Sequence, residues 1–156
     1  MRALTTLLVC STLLGCSDPE LPGLYFDVSA SLASDGCNQV PVGYSEDFAY
    51  RVRIEPGTTD AAVAIGPDEF AAGSISGCTF TYSSVVWTQE RDAGDIRWIL
   101  EGQAEIQRGD GSCGNAQDWL GTEAFVVQSS EDPTVQPGCR YEVTVVGSYV
   151  GEVTEE

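Results

Sequence analysis

No histidine and no lysine occur among these 156 residues. The first absence removes a Ser-His-Asp triad and a Cys-His dyad. The second removes a Schiff-base amine, the lysine of a Walker loop and a Ser-x-x-Lys nucleophile. All seven basic residues are arginines, against 24 acidic ones, for a formal charge of −17. A surface so poor in cations repels nucleic acid, whose binding rests on cationic contacts to phosphate. It also disfavours docking on anionic headgroups. Cationic partners or divalent ions are attracted to such a surface, but its simplest consequence is a soluble monomer. The chain also lacks any apolar run of the roughly 20 residues that cross a bilayer.

It does have one short apolar run, at the start. After Met1-Arg2, the segment from Ala3 to Leu14 carries no charge. Leu4, Leu7, Leu8, Val9, Leu13 and Leu14 would wrap every face of a helix, which an amphipathic core helix does not do. A single charge, a short apolar core and a small residue before the cut describe a secretory signal. The run ends Leu13-Leu14-Gly15-Cys16, which resembles the lipobox of bacterial lipoproteins. The resemblance implies that the Cys16 sulfur takes a diacylglyceryl group and that a peptidase cuts before it. It implies three acyl chains in the finished protein, a stable anchor at about 0.8 kcal/mol per buried CH₂. Ser17 after the cysteine, rather than aspartate, implies sorting to the outer membrane, with the body facing the periplasm or the cell surface. An ordinary secretory signal, cut nearby to give a secreted or periplasmic protein, is the alternative. The expected organisation is a removed signal over 1–15, a lipidated cysteine and tether over 16–23, and one domain over 24–156. Loss of Arg2 with the signal takes the formal charge from −17 to −18.

Export also sets the reading of the cysteines. Cys10 lies in the signal and Cys16 is the expected lipid site. Cys37, Cys78, Cys113 and Cys139 remain, an even number that reads as two disulfides in an exported chain. No CxxC pair and no histidine accompany them, so no metal site is expected.

The body alternates with period two. Leu24, Phe26, Val28, Ala30 and Leu32 share one face. So do Phe48, Tyr50, Val52 and Ile54, and the longer set Ile96, Trp98, Leu100, Gly102, Ala104 and Ile106. Cys139, Tyr141, Val143, Val145, Gly147 and Tyr149 form a fourth. Such segments are half-buried antiparallel strands. Weaker candidates are Ala61–Ile65, Phe70–Ile75, Cys78–Gln89 and Glu123–Ser129, separated by Gly/Pro/Asp-rich turns. The stretch GNAQDWLG is read as one short helical turn. The expected fold is all-β: an antiparallel meander of about eight strands closed into a small barrel and stapled by two disulfides, with a two-sheet sandwich as the alternative. Gly102 and Ala104 within the longest strand suggest a bend or a close approach. Strand parity in such a meander brings Cys37 to Cys139 at one rim and Cys78 to Cys113 at the other. If one strand is miscounted, Cys37–Cys78 with Cys113–Cys139 fits better.

Candidate chemistry is sparse. Carboxylate pairs suited to acid/base work on sugars are Glu46-Asp47, Asp68-Glu69, and Glu101 with Glu105 on one polar strand face. The aspartates of RGDGSCGNAQD do not match calcium-loop spacing, and Arg108-Gly109-Asp110 reads as chance. The inward aromatics Trp98, Tyr141, Phe48 and Phe80 either fill the core or line a small apolar cavity. PGLYFDV is similar to the Gly-x-Trp start of lipocalins, with Tyr25 in place of the tryptophan; the resemblance implies a carrier of a small apolar ligand. The expectation is thus a non-enzymatic, lipid-anchored envelope protein with no catalytic residue and no cofactor, used for binding or envelope structure. The carrier and a carboxylate-based glycan enzyme are the alternatives.

Overall fold

The computed structural model describes residues 23–54, 57–64, 70–106 and 119–154. The expected signal, Cys16 and the expected tether up to residue 22, Asp68-Glu69, the segment RGDGSCGNAQD and Cys113 lie outside them; Gly23, expected to end the tether, already opens the first strand.

The described residues form nine strands and no helix. They are β1 (Gly23–Asp35), β2 (Ser45–Ile54), β3 (Asp60–Ala64), β4 (Phe70–Ser76), β5 (Thr79–Ser84), β6 (Trp87–Gln89), β7 (Ile96–Ile106), β8 (Trp119–Ser130) and β9 (Arg140–Val153). All pairings are antiparallel. β1 to β5 pair in sequence, β7 pairs β8 and β8 pairs β9. Two contacts close the ring: β9 returns to β1, and β5 joins β7. The result is an eight-stranded closed barrel with β6 as an extra strand, as the alternation predicts. Closure leaves no unpaired edge around the ring.

β5 and β6 lie along the same edge of β7, Phe80 opposite Ala104 and Trp87 opposite Trp98. The single strand expected over Cys78–Gln89 is therefore two. The break falls at Val85-Val86, where the Ser84 hydroxyl accepts the Leu100 amide at 3.0 Å and donates to the Val85 carbonyl at 2.8 Å. A side chain there takes over a ladder bond that the backbone gives up. A second correction concerns GNAQDWLG. Its described residues Trp119 to Gly121 are strand, because β8 starts earlier than its apolar run suggests and pairs Trp119 with Ile106 and Gly147.

The main core is the barrel interior, built from Leu24, Phe26, Val28, Tyr50, Val52, Val63, Phe80, Tyr82, Leu100, Trp119, Val143 and Val145 among others. A smaller cluster of Cys37, Ile96, Trp98, Val127 and Val135 closes one end. There β1 finishes, β7 and β9 begin, and the bridge Cys37–Cys139 spans a Cα separation of 5.3 Å between residues 102 apart in sequence. We refer to this end as the Cys37 rim. The other end holds Gly23, Val153 and the turn Gly77-Cys78, whose Cys78 carbonyl accepts the Ile106 amide at 2.9 Å. Of the two bridges expected, one complete pair is present among the described residues. Cys78 is also disulfide-bonded, and Cys113 lies outside the described set.

Candidate functional site

Two places gather polar chemistry on an aromatic background. The first is the middle of the barrel. Alternation along β8 points Trp119, Gly121, Glu123, Phe125 and Val127 to one face, and that face is the interior. A glutamate thus sits where an apolar residue is expected, at 2 % exposure. A buried carboxyl needs partners. Tyr50 and Tyr82 both donate to its Oε1, Tyr82 at 2.6 Å.

The row of residues across the sheet explains how Tyr82 reaches it. Tyr82 stands opposite Gly102 on β7, and Gly102 stands opposite Glu123 on β8. The tyrosine ring lies over the glycine: a Cβ there would come within 2.1 Å of Tyr82 Cζ. This is the close approach that Gly102 suggests in the sequence. On the other side of Tyr82, Gly73 is as tightly enclosed, with the Thr81 carbonyl 2.0 Å from where its Cβ would be. Burial pushes the Glu123 carboxyl up from its ordinary range, the two tyrosine donors pull it down, and burial wins. Burial and the neighbouring carboxyl push both tyrosines well above theirs. The three therefore form one buried hydrogen-bonded network.

Trp119 stands beside this network, fully buried. Its ring meets Tyr50 at 5.0 Å, Phe26 at 5.3 Å, Tyr82 at 6.1 Å and Phe80 at 6.3 Å between centroids. Its indole Nε1 has no hydrogen-bond partner among the described residues.

The second place is a groove of about 320 Å³ at the Cys37 rim. Trp98 and Tyr141, at the starts of β7 and β9, and Trp87, on β6, supply its aromatic part. Gln39, Gln89 and Arg91 supply the polar part. These side chains are held from behind. Tyr141 stacks on Phe125 at 4.6 Å and 9°, and Trp87 meets the same Phe125 edge-on at 6.2 Å and 90°. Trp98 donates its indole N–H to Gln89 Oε1 at 3.1 Å. Gln39 donates to the Cys37 carbonyl at 3.0 Å and accepts from Arg91 Nη1 at 2.5 Å. Arg91 also faces Asp132 at 4.0 Å. The hydroxyl and amide of Thr134 hold the Asp132 carboxyl below its usual range. The loop carrying Gln39 is pinned by Asp35, which accepts the amides of Cys37 and Val40, each at 2.8 Å. The disulfide ties this loop to the strand that carries Tyr141.

The residues singled out in the sequence divide between the two places. Phe80 belongs to the interior, Phe48 packs at its edge, and Trp98 and Tyr141 belong to the rim. Glu101 and Glu105 lie on the outer face of β7, and Glu46 and Asp47 are exposed on β2. Glu101 lies two strands from Glu142, across Ala124, in a shallow dimple of about 200 Å³. Glu142 is engaged there by Arg140 and by Ser34. Glu123, Tyr50, Tyr82, Trp87 and Gln39 escape a sequence reading of the site. For Glu123 the signal exists: it is the one charged residue on an otherwise apolar alternate face. No family model, curated protein or solved structure matches the chain.

Proposed function

We propose that this chain is a lipid-anchored protein of the cell envelope, sorted to the outer membrane, whose barrel is a non-enzymatic binding module. The observation that carries this reading is the placement of the groove at the end of the barrel opposite the chain's entry. β1 begins at Gly23, seven residues beyond Cys16. Seven residues span at most roughly 25 Å. A lipid on Cys16 therefore keeps the Gly23 end near the membrane and turns the Cys37 rim, with its partly exposed Trp87 and Tyr141, outward. A disulfide at that rim suits an oxidising compartment.

The packing of the interior favours a rim module over the carrier. The space behind the inward aromatics is taken by Trp119, Phe26, Phe80 and the Glu123 network. The outer-face position of Glu101 and the partners of Glu142 favour binding over carboxylate catalysis, which needs two carboxyls facing across a cleft.

Expression in a Gram-negative host with labelled palmitate tests the anchor. The expected result is label on the wild-type chain in the outer-membrane fraction, and a Cys16→Ser variant that is unlabelled and leaves that fraction. An intact mass without acyl groups, or a mature start other than Cys16, overturns the anchor.

A further inference from the structure

We infer that the groove at the Cys37 rim binds a neutral sugar ring. This deepens the binding-module reading and rests on it. Three features of the groove converge.

The first is the shape of the aromatic wall. Tyr141 is nearly parallel to Phe125 and Trp87 is perpendicular to that same ring, at 9° and 90°. The planes of Trp87 and Tyr141, both lining the groove, therefore stand nearly perpendicular, as two walls of a corner rather than as parallel ridges. A polyproline segment docks between aromatic ridges; a corner suits one compact ring. A pyranose offers an apolar C–H face for one aromatic wall and hydroxyls around its edge.

The second feature is the polar fringe. Gln39, Gln89 and Arg91 stand around the aromatic floor, and each is already fixed by a bond to another residue of the rim. Planar amides and a guanidinium offer paired donors and acceptors of the kind adjacent hydroxyls need. Prior fixing lowers the ordering cost of binding. A purely apolar ligand would leave these groups facing nothing, a cost that disfavours it.

The third feature is charge. Among the described residues, Arg91 is the one cation of the groove's lining, and Asp132 faces it at 4.0 Å. Its charge is already balanced, and the chain as a whole carries −17. An acidic sugar is repelled by that field; a neutral one is not. The volume, about 320 Å³, lies at the lower end of small-molecule sites, in keeping with one or two sugar units.

The test uses purified full-length protein, titrated with maltotriose, cellotriose and chitotriose while tryptophan fluorescence is followed. The expected result is a saturable change with at least one of the three. Trp87→Ala should weaken that binding about tenfold or more, the scale of one lost aromatic contact. Gln89→Ala, at an exposed strand end, should weaken it with the fold intact. Val150→Ser, exposed near the Gly23 end, should leave it unchanged. No saturable response to any of the three sugars overturns the inference, as does a response that survives both groove substitutions. The anchor is read separately, from the mass of the mature chain, so the two proposals fail independently.

Discussion

The barrel interior and the Cys37 rim use the same residue types to opposite ends. Inside, Trp119, Tyr50 and Tyr82 surround Glu123, and the hydroxyls are turned onto that single carboxyl. At the rim, Trp87, Trp98 and Tyr141 stand beside Gln39, Gln89 and Arg91, and the edges of these groups line an open groove. The interior pairs its carboxyl with two hydroxyls and leaves Trp119 Nε1 without a partner among the described residues. The rim fixes its polar atoms from behind and leaves part of each facing outward. Aromatic-plus-polar composition therefore does not mark a site by itself; what marks it is which side of the polar group the fold has satisfied.

The comparison predicts unequal costs for two tryptophans. Trp119→Ala removes the ring on which four others pack, and should cost about 3–5 kcal/mol in a denaturant titration. Trp87→Ala should cost less than about 1.5 kcal/mol, since Trp87 is only partly buried on a three-residue strand. Equal costs for the two would erase the distinction between a packed interior and a presented rim. Next in size is the bridge. Replacing Cys37 and Cys139 together by serine frees a loop of about a hundred residues and should cost about 2–4 kcal/mol. It should also weaken any ligand of the groove, because the bridge ties the Gln39 loop to the Tyr141 strand. A loss of stability with unchanged binding would show that the Asp35 and Gln39 bonds hold the groove without it. Smaller again is Gly102→Ala, which drives a methyl into the Tyr82 ring and should cost about 1–3 kcal/mol by overpacking.

Much of the barrel was legible from alternation, because period two over β1, β2, β7 and β9 is long enough to fix both strand and face. Parity then brought Cys37 to Cys139. The interior network was harder to see. Glu123 opened a weak strand candidate, and the residues before it resembled a helical turn. Without Trp119 and Gly121 as part of β8, the inward parity of Glu123 had nothing to anchor it. Its two partners arrive from β2 and β5, neighbours only after the ring closes through β5–β7 and β9–β1. The groove is further out of reach. Trp98 and Tyr141 read as inward, as they are, but only the closed barrel shows them at a rim. Trp87 joins them because the chain breaks at Val85-Val86 and resumes on the same edge of β7. Separate segments meet there, and no spacing within any one of them records the meeting.

The smallest expected effect tests how the interior holds the proton of Glu123. Burial holds the folded-state pKa of Glu123 above its unfolded value of about 4.5. Below that value both states keep the proton and the group is silent. As pH rises through it, the unfolded chain gives up its proton while the folded chain retains it. The unfolded state then binds fewer protons, and stability falls with rising pH until the folded group also ionises. Glu123→Gln keeps an acceptor for Tyr50 and Tyr82 but has no proton to lose. Its stability should match wild type in acid and exceed it near neutrality, so the difference between the two curves should open upward from about pH 4.5. Denaturant titrations across that range read the difference directly. A variant weaker than wild type at neutral pH would mean that the folded barrel holds a carboxylate. The interior would then be a charged site supported by two tyrosine donors, and its contrast with the rim would shrink to a difference in exposure.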